Sequence, residues 1–515
     1  MSRGGPRRPL RVAIIGSGLG GLAAAVKLRQ RTNADFVIFE QAPGIGGTWR
    51  DNRYPGCEVD VPSHAYSYSF LKYEWLRTHA TQSELLAYAE HVVDVFGLAA
   101  HLRLNTRVTS LVWEESTARY VLTTKDLTTG DLTTGDSEQH EFDVVISATG
   151  LLSVPRYPDW PGLASFGGAC FHTARWEPEH DLSGKTVAIV GTGSTAVQVV
   201  PAIAPDVSQL YIYQREPGWI EPKQEREFTQ RELWVYRHVP LAQRAHRAWL
   251  FYQAMSRFKA FDTRTRQQRE VREACVAFIN RSVEDPATRA AVTPQYPWGC
   301  KRVVRASNFY ETLNRPNVEL VPHEVTRVTP TGIVDASGTE RPVDVLILST
   351  GFQPTSFLAG IEVKGRDGLG IHDAWRERSS AFLGITVPGF PNFFLLYGPN
   401  TNGGGSIIHQ LERQAEVAAN AVRRLERGPA FGRPVFGRPV FGRPVRSIDT
   451  RPEAQRRWVA WIDRRLATAA SAMESGCHNY YHAAGGANVT QWPGTPLGYA
   501  LATRLFPRFG LKGRG

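Results

Sequence analysis

Gly16, Gly18 and Gly21 make a GxGxxG turn, and an acid, Glu40, follows 24 residues after the first glycine. Glycines so spaced let a backbone approach a pyrophosphate, and the N-terminus of a helix opening there turns its N–H groups toward the same charge. A carboxylate one strand later accepts hydrogen bonds from a ribose diol and repels a 2′-phosphate, so this first site is expected to hold FAD or NAD and not NADP. The pattern returns at Gly191, Gly193 and Ala196, but the residue 24 after Gly191 is Arg215. The sign of charge is inverted, and a guanidinium offers a planar fork of donors to a phosphate. The second site therefore reads as an NADPH site, with Thr192, Ser194, Thr195 and Gln198 around its turn and Lys301 as a second cation. Glu216, next to Arg215, competes for the same charge.

Two nucleotide sites of different preference imply electron flow from NADPH to a bound flavin. Cys57, Cys170, Cys275, Cys300 and Cys477 are widely spaced and form no CxxC pair. A disulfide framework, a zinc knuckle and a dithiol redox centre all lose support, and no metal site is expected. The electrons must then leave through a soluble acceptor, and dioxygen is the obvious one.

The elements that position these residues follow from the pattern around them. LRVAII at 10–15 is a strand run, GSGLGG a tight turn and LAAAVKLRQR a helix; Phe36 to Phe39 is the next strand. TVAIV at 186–190, GTGSTA and LYIYQ repeat that order. VVISATG at 144–150 and VLILSTG at 345–351 run apolar strands into Thr-Gly turns, where an open parallel sheet hands the chain between domains. The expected fold is α/β, with two Rossmann-like dinucleotide-binding domains and a helical insertion in the second. The FAD domain is expected over 1–155 and 340–515, the NADP domain over 156–221 and 301–339, and the insertion over 222–300. In the insertion Leu241, Ala245, Ala248, Tyr252 and Met255 share one helical face, expected to pack on the second domain; an interfacial membrane helix is the alternative. The tandem repeats LTTGD, from Leu127, and FGRPV, at 431–445, read as surface loops without chemistry.

Composition narrows the class. The 515 residues are 42% hydrophobic and 21% charged, as in a globular enzyme. The net charge of +11 comes from arginines scattered through every segment, with no basic stripe interleaved with aromatics, so no nucleic-acid partner is expected. Arg7-Arg8 before Leu10 to Ala25 mimics an export signal, but its glycines belong to the phosphate turn, and no run is apolar enough to span a membrane. The cytoplasm is the expected compartment, and oligomeric state is left open.

Taken together these residues resemble the flavin-dependent class B monooxygenases, specifically the type I Baeyer–Villiger monooxygenases. Gly46-Gly47-Thr48-Trp49, Tyr54-Pro55-Gly56 and Asp60 match the fingerprint (A/G)GxWxxxx(F/Y)P(G/M)xxxD at every defined position. Phe166, Gly168, His172 and Trp176 match FxGxxxHxxxW(P/D), with Glu177 at its last place. Lys301-Arg302, the turn Thr350 to Phe352, Gly398 to Asn402 and Trp492 to Gly494 extend the similarity along most of the chain.

The resemblance implies NADPH- and O2-dependent conversion of a ketone to an ester or lactone, by way of a C4a-peroxyflavin. Arg302 is then the catalytic cation, and Asp60 the carboxylate that holds it. Gly47, Thr48, Trp49 and Tyr66 are expected around the flavin, with Gln41, Val108, Asp60 and Asn400 as further FAD contacts; Asn400 capping the next helix is the alternative. His172 and Trp176 are expected to couple the domains, and Trp492 to line the substrate side. Two other functions stay open: oxygenation of nitrogen or sulfur, and a redox sensor or partner-binding flavoprotein using the FGRPV arm.

Overall fold

The computed structural model describes residues 8–128, 136–403, 405–427, 431–435, 438–441, 445–472, 479–483 and 485–514. Its frame is a pair of five-stranded parallel sheets. The first runs, in order, through Phe393–Leu395, Val144–Ser147, Arg11–Ile15, Asp35–Phe39 and Leu102–Arg103. Strands covered on both faces must be apolar throughout, and Val12 to Ile15 and Val144 to Ser147 are all buried. The second runs through Val318–Val321, Gln209–Tyr213, Thr186–Val190, Val345–Leu348 and Ala169–His172.

The first glycine turn leads into the helix Leu19–Arg31, buried from Leu19 to Leu28. It is covered by the helix Ile407–Glu426, and between them Lys27 Nζ lies 3.2 Å from Glu412 Oε1 with both side chains almost wholly buried. Thr-Gly turns follow Val144–Ser147 and Val345–Leu348, and here the expected boundary needs correction. Val345–Leu348 pairs with Thr186–Val190 and Ala169–His172, so the return crossing lies near Gly351 rather than at 340. The two crossings are stitched together: Arg156 N–H donates to Gly351 O at 2.9 Å, and Gln353 N–H to Val154 O at 3.0 Å.

The insertion is helical, with Gln230–His238, Ala242–Ser256, Arg266–Ser282 and Pro286–Val292. Thr229 with Glu232, Thr265 and Asp285 supply the N-caps that start three of them. A two-stranded pairing of Ile220–Glu221 with Val304–Arg305 closes its base and delivers residues 301–302 to the domain boundary.

The helix Ala242–Ser256 reverses an expectation. Leu241, Ala245, Ala248 and Tyr252 do not pack on the second domain; they face outward. The packed side carries His246, Arg247 and Phe251, whose partners His64, Ser67 and His409 come from the first domain. Periodicity reports that a helix has two faces, whereas which face is covered depends on what lies beside it.

Two smaller expectations also change. Cys57, Cys170 and Cys275 are free, but Cys300 is disulfide-bonded, because pairing follows spatial proximity that spacing does not report. In the pentapeptide repeat, Phe431–Val435 pairs antiparallel with Arg438–Phe441, so part of the expected loop is a two-stranded ribbon. An extended backbone accommodates the regularly spaced prolines of the repeat. The LTTGD repeat lies largely outside the described residues.

Candidate active site

At the first turn Gly16 has φ +98°, and a Cβ there would stand 2.7 Å from Ala148 O. Only glycine fits so close an approach. A Cβ on Gly47 would meet Gly18 Cα at 3.0 Å, so the segment from Gly46 lies directly on the turn. Gly46 N–H donates to Ser17 O at 3.2 Å. Ser17 gives Glu40 Oε2 two hydrogen bonds of 2.8 Å, and Ala42 N–H gives Oε1 one of 2.9 Å. A carboxylate has about four lone-pair directions, which leaves one for a ribose hydroxyl. This strip of bare backbone ending at Glu40 fits the diphosphate and ribose of FAD.

Trp49 and Tyr66 form an edge-to-face pair with centroids 5.7 Å apart, and the indole N–H donates to the Tyr66 hydroxyl at 3.2 Å. Thr48 and Gln41 are exposed. Val108 puts its side chain into the core, and the pairing register shifts immediately after it, between Val108 and Ser110. Any cofactor contact there is through its backbone. Asn400 does not cap the following helix, whose N-cap is Ser406. Its amide donates to Asn488 O at 2.9 Å and Gln491 O at 3.2 Å, fastening the 398–402 turn.

The second turn repeats the geometry with more room. Gly191 has φ +112°, with Ser349 O 2.4 Å from a built Cβ, while nothing lies within 4 Å of one at Gly193. Thr192, Ser194 and Thr195 line the turn leading into the helix Ala196–Ile203. Arg215 is exposed at the end of the next strand, and Glu216 pairs with Lys301, which also sits 4.9 Å over the Tyr296 ring. The competitor for Arg215 is thus engaged elsewhere, and the site fits NADP. Gln198 serves differently: it accepts from Tyr54 Oη and donates to Glu58 O, both at 3.0 Å, bridging the second domain to the first.

Between the two turns, residues 242 positions apart meet: Arg302 Nη2 donates to Asp60 Oδ2 at 2.7 Å. Burial pushes the Asp60 carboxyl up, but the charge and hydrogen bond of Arg302, aided by Arg305 and Lys223, outweigh it and hold it below the usual range. Asp60 in turn raises Arg302, so the pair stays ionised. Arg302 keeps 41% of its side-chain surface and Asp60 17%, which places them along an open cleft.

Among the tyrosines that feel the same cation, three are Tyr66, Tyr397 and Tyr480. Burial raises all three, Tyr66 to about 12, so each remains a protonated donor near neutrality. Tyr397 and Tyr480 were not foreseen. Tyr397 stands just before the GPNTN turn, at φ +62°, but Tyr480 belongs to no spaced motif.

Trp492 does not line the cleft. It stacks on Trp458 at 5.7 Å and packs against Trp461 and Tyr499, an aromatic core that buries it. Trp176 is buried edge-on against Phe171. His172 Nδ1 accepts from Ala174 N–H at 3.0 Å, and its Nε2–H donates to Gly351 O at 3.1 Å. Both nitrogens are used in the neutral form, tying the edge strand of the second sheet to the return crossing.

Burial lowers His172 and His409 to about 4, and His64 and His79 to about 3. The unfolded chain takes up their protons near pH 6.5 while the folded one does not. Their contribution to stability is complete above about pH 6.5 and is lost as pH falls toward 4. Thermal melting followed from pH 7.5 to 4.5 should show a midpoint declining from just below 6.5; a flat midpoint down to pH 5 contradicts this.

Comparisons with known proteins agree with the geometry. Residues 14–79 match a family model of NAD(P)-binding Rossmann-like domains. A Baeyer–Villiger monooxygenase of Streptomyces coelicolor is 39% identical over 497 residues, 96% of this chain and 91% of that protein. Cyclohexanone monooxygenase from Rhodococcus sp. Phi1 bound to NADP+ superposes with a TM-score of 0.84 at 28% identity, over 99% of this chain and 100% of that one. OTEMO in complex with FAD and NADP gives a TM-score of 0.85 at 26% identity, over 99% and 100%. With two dinucleotide cradles facing one ionised Arg–Asp cleft, and with relatives matched from end to end, the chain belongs to the type I Baeyer–Villiger monooxygenases and is an FAD-containing, NADPH-dependent monooxygenase.

Proposed function

We propose that this enzyme inserts one oxygen atom beside the carbonyl of a ketone, with Arg302 as its catalytic cation. The overall balance is ketone, O2, NADPH and a proton giving ester or lactone, NADP+ and water. Bound FAD, reduced by NADPH, supplies the activated oxygen. The observation that carries the reading is the 2.7 Å Arg302–Asp60 pair along an open cleft. Addition to a carbonyl concentrates negative charge on its oxygen, and a fixed guanidinium is already oriented to meet it. Asp60 keeps that guanidinium in place, and Tyr66 offers a protonated hydroxyl nearby. Trp49 and Tyr66 wall the flavin side.

Incubating the enzyme with a cyclic ketone under 18O2 should give a lactone carrying one labelled atom. Sulfoxide from an added thioether, with no lactone at any pH, would refute ketone oxidation.

Arg215 and Lys301 hold the 2′-phosphate of NADPH in this reading. A hydrogen bond to a charged group contributes about 1.5–3 kcal/mol. Arg215→Ala should therefore raise KM for NADPH by about 10–100-fold while leaving KM for NADH nearly unchanged. An equal rise for both nucleotides removes Arg215 from phosphate recognition.

A further inference from the structure

Two helices from distant parts of the chain carry large apolar residues on their outward faces. On Ala242–Ser256, Trp249 is 53% and Tyr252 59% exposed; Leu241 at its N-cap and Trp234 on the preceding helix are exposed too. On Pro496–Leu505 and the turn after it, Leu497, Leu501, Leu505 and Phe509 recur every four residues, and Phe509 is 75% exposed. The helices meet at Gly405, where a built Cβ would touch Pro496 Cγ at 3.4 Å and Ala254 Cβ at 3.9 Å.

Along the two segments that carry the main rows, though not on the Trp234 helix with its Glu232, the charge has one sign. Residues 239–261 contain Arg244, Arg247, Arg257 and Lys259 and no acid; residues 493–515 contain Arg504, Arg508, Lys512 and Arg514 and no acid. Two of these cations are used internally. Arg247 donates to His64 O at 2.9 Å and Ser67 O at 2.6 Å, and Arg257 pairs with Glu221. Arg244, Lys259, Arg504 and Arg508 remain exposed beside the apolar rows.

A second copy of this chain docked symmetrically would bring like charges together. A neutral apolar partner would leave the cations unmatched. Lipid phosphates match them, while Trp and Tyr suit the headgroup level and Leu and Phe the acyl boundary. We infer that this face lies on an anionic bilayer surface, with both helices in the interface. No helix among the described residues is long and apolar enough to cross a membrane, so the contact is peripheral.

The test is co-sedimentation of the FAD-loaded enzyme with vesicles of phosphatidylglycerol and phosphatidylcholine, and with phosphatidylcholine alone. Binding to the anionic vesicles should be at least about tenfold tighter and should weaken as salt is raised. Two double variants, Trp249→Gln with Tyr252→Gln and Leu501→Gln with Phe509→Gln, should each lower it about tenfold. Flavin content and turnover of a water-soluble ketone should stay unchanged in both variants. The inference is overturned by no binding to anionic vesicles, by equal binding to both vesicle types, or by full binding of both variants. It is equally overturned if light scattering shows a dimer, dissolved by the same substitutions, and no vesicle binding.

Discussion

Arg302→Ala should lower ester formation by about 100–1,000-fold while NADPH continues to reduce the bound flavin. The loss is large because the guanidinium meets charge that develops only during reaction at the carbonyl, so its removal is felt in product formation rather than in nucleotide binding. Asp60→Asn should give a smaller loss, since the cation survives but its 2.7 Å anchor is weakened. Arg302→Lys should recover little, because an ammonium cannot reproduce the guanidinium's planar donor set. Stopped-flow absorbance of flavin reduction, run beside product quantitation, separates the two steps. Unchanged product yield in Arg302→Ala ends the assignment; parallel loss of both steps would instead make Arg302 a structural or nucleotide-binding residue.

Glu412→Ala should destabilise the folded enzyme by about 3–5 kcal/mol. Glu412 joins the helices of the first domain by its pairing with buried Lys27 and also accepts from Ser69 N–H at 2.9 Å. Removing it strands Lys27, which is only 6% exposed, among apolar side chains with the Phe70 ring 4.5 Å away. An unpaired buried ammonium is far costlier than no ion at all. The double variant Lys27→Met with Glu412→Leu should therefore recover most of the stability lost by Glu412→Ala. Urea denaturation of the flavin-loaded protein measures both; a loss under 1 kcal/mol in the single variant would refute the argument.

The glycine turns, their first strands and the sign of charge at Glu40 and Arg215 were legible in the sequence, because each depends on chemistry confined to a few dozen residues. A strand, a turn that only glycine permits and a helix N-terminus are specified locally, and the nucleotide preference proposed for each site rests on one side chain at the next strand's end. The family fingerprint extended this to Arg302 and Asp60, though only as a resemblance.

What the tertiary structure alone decided was everything depending on distant segments meeting. It brought Arg302 to Asp60 across 242 residues, engaged Glu216 with Lys301, and set Tyr397 and Tyr480 beside the same cation. It also took Trp492 into an aromatic core, moved the return crossing to Gly351, and turned the face of Trp249 and Tyr252 outward. Local patterning states that a residue is apolar or charged, but its partner is chosen by packing among all the elements at once, and no window of sequence contains that choice.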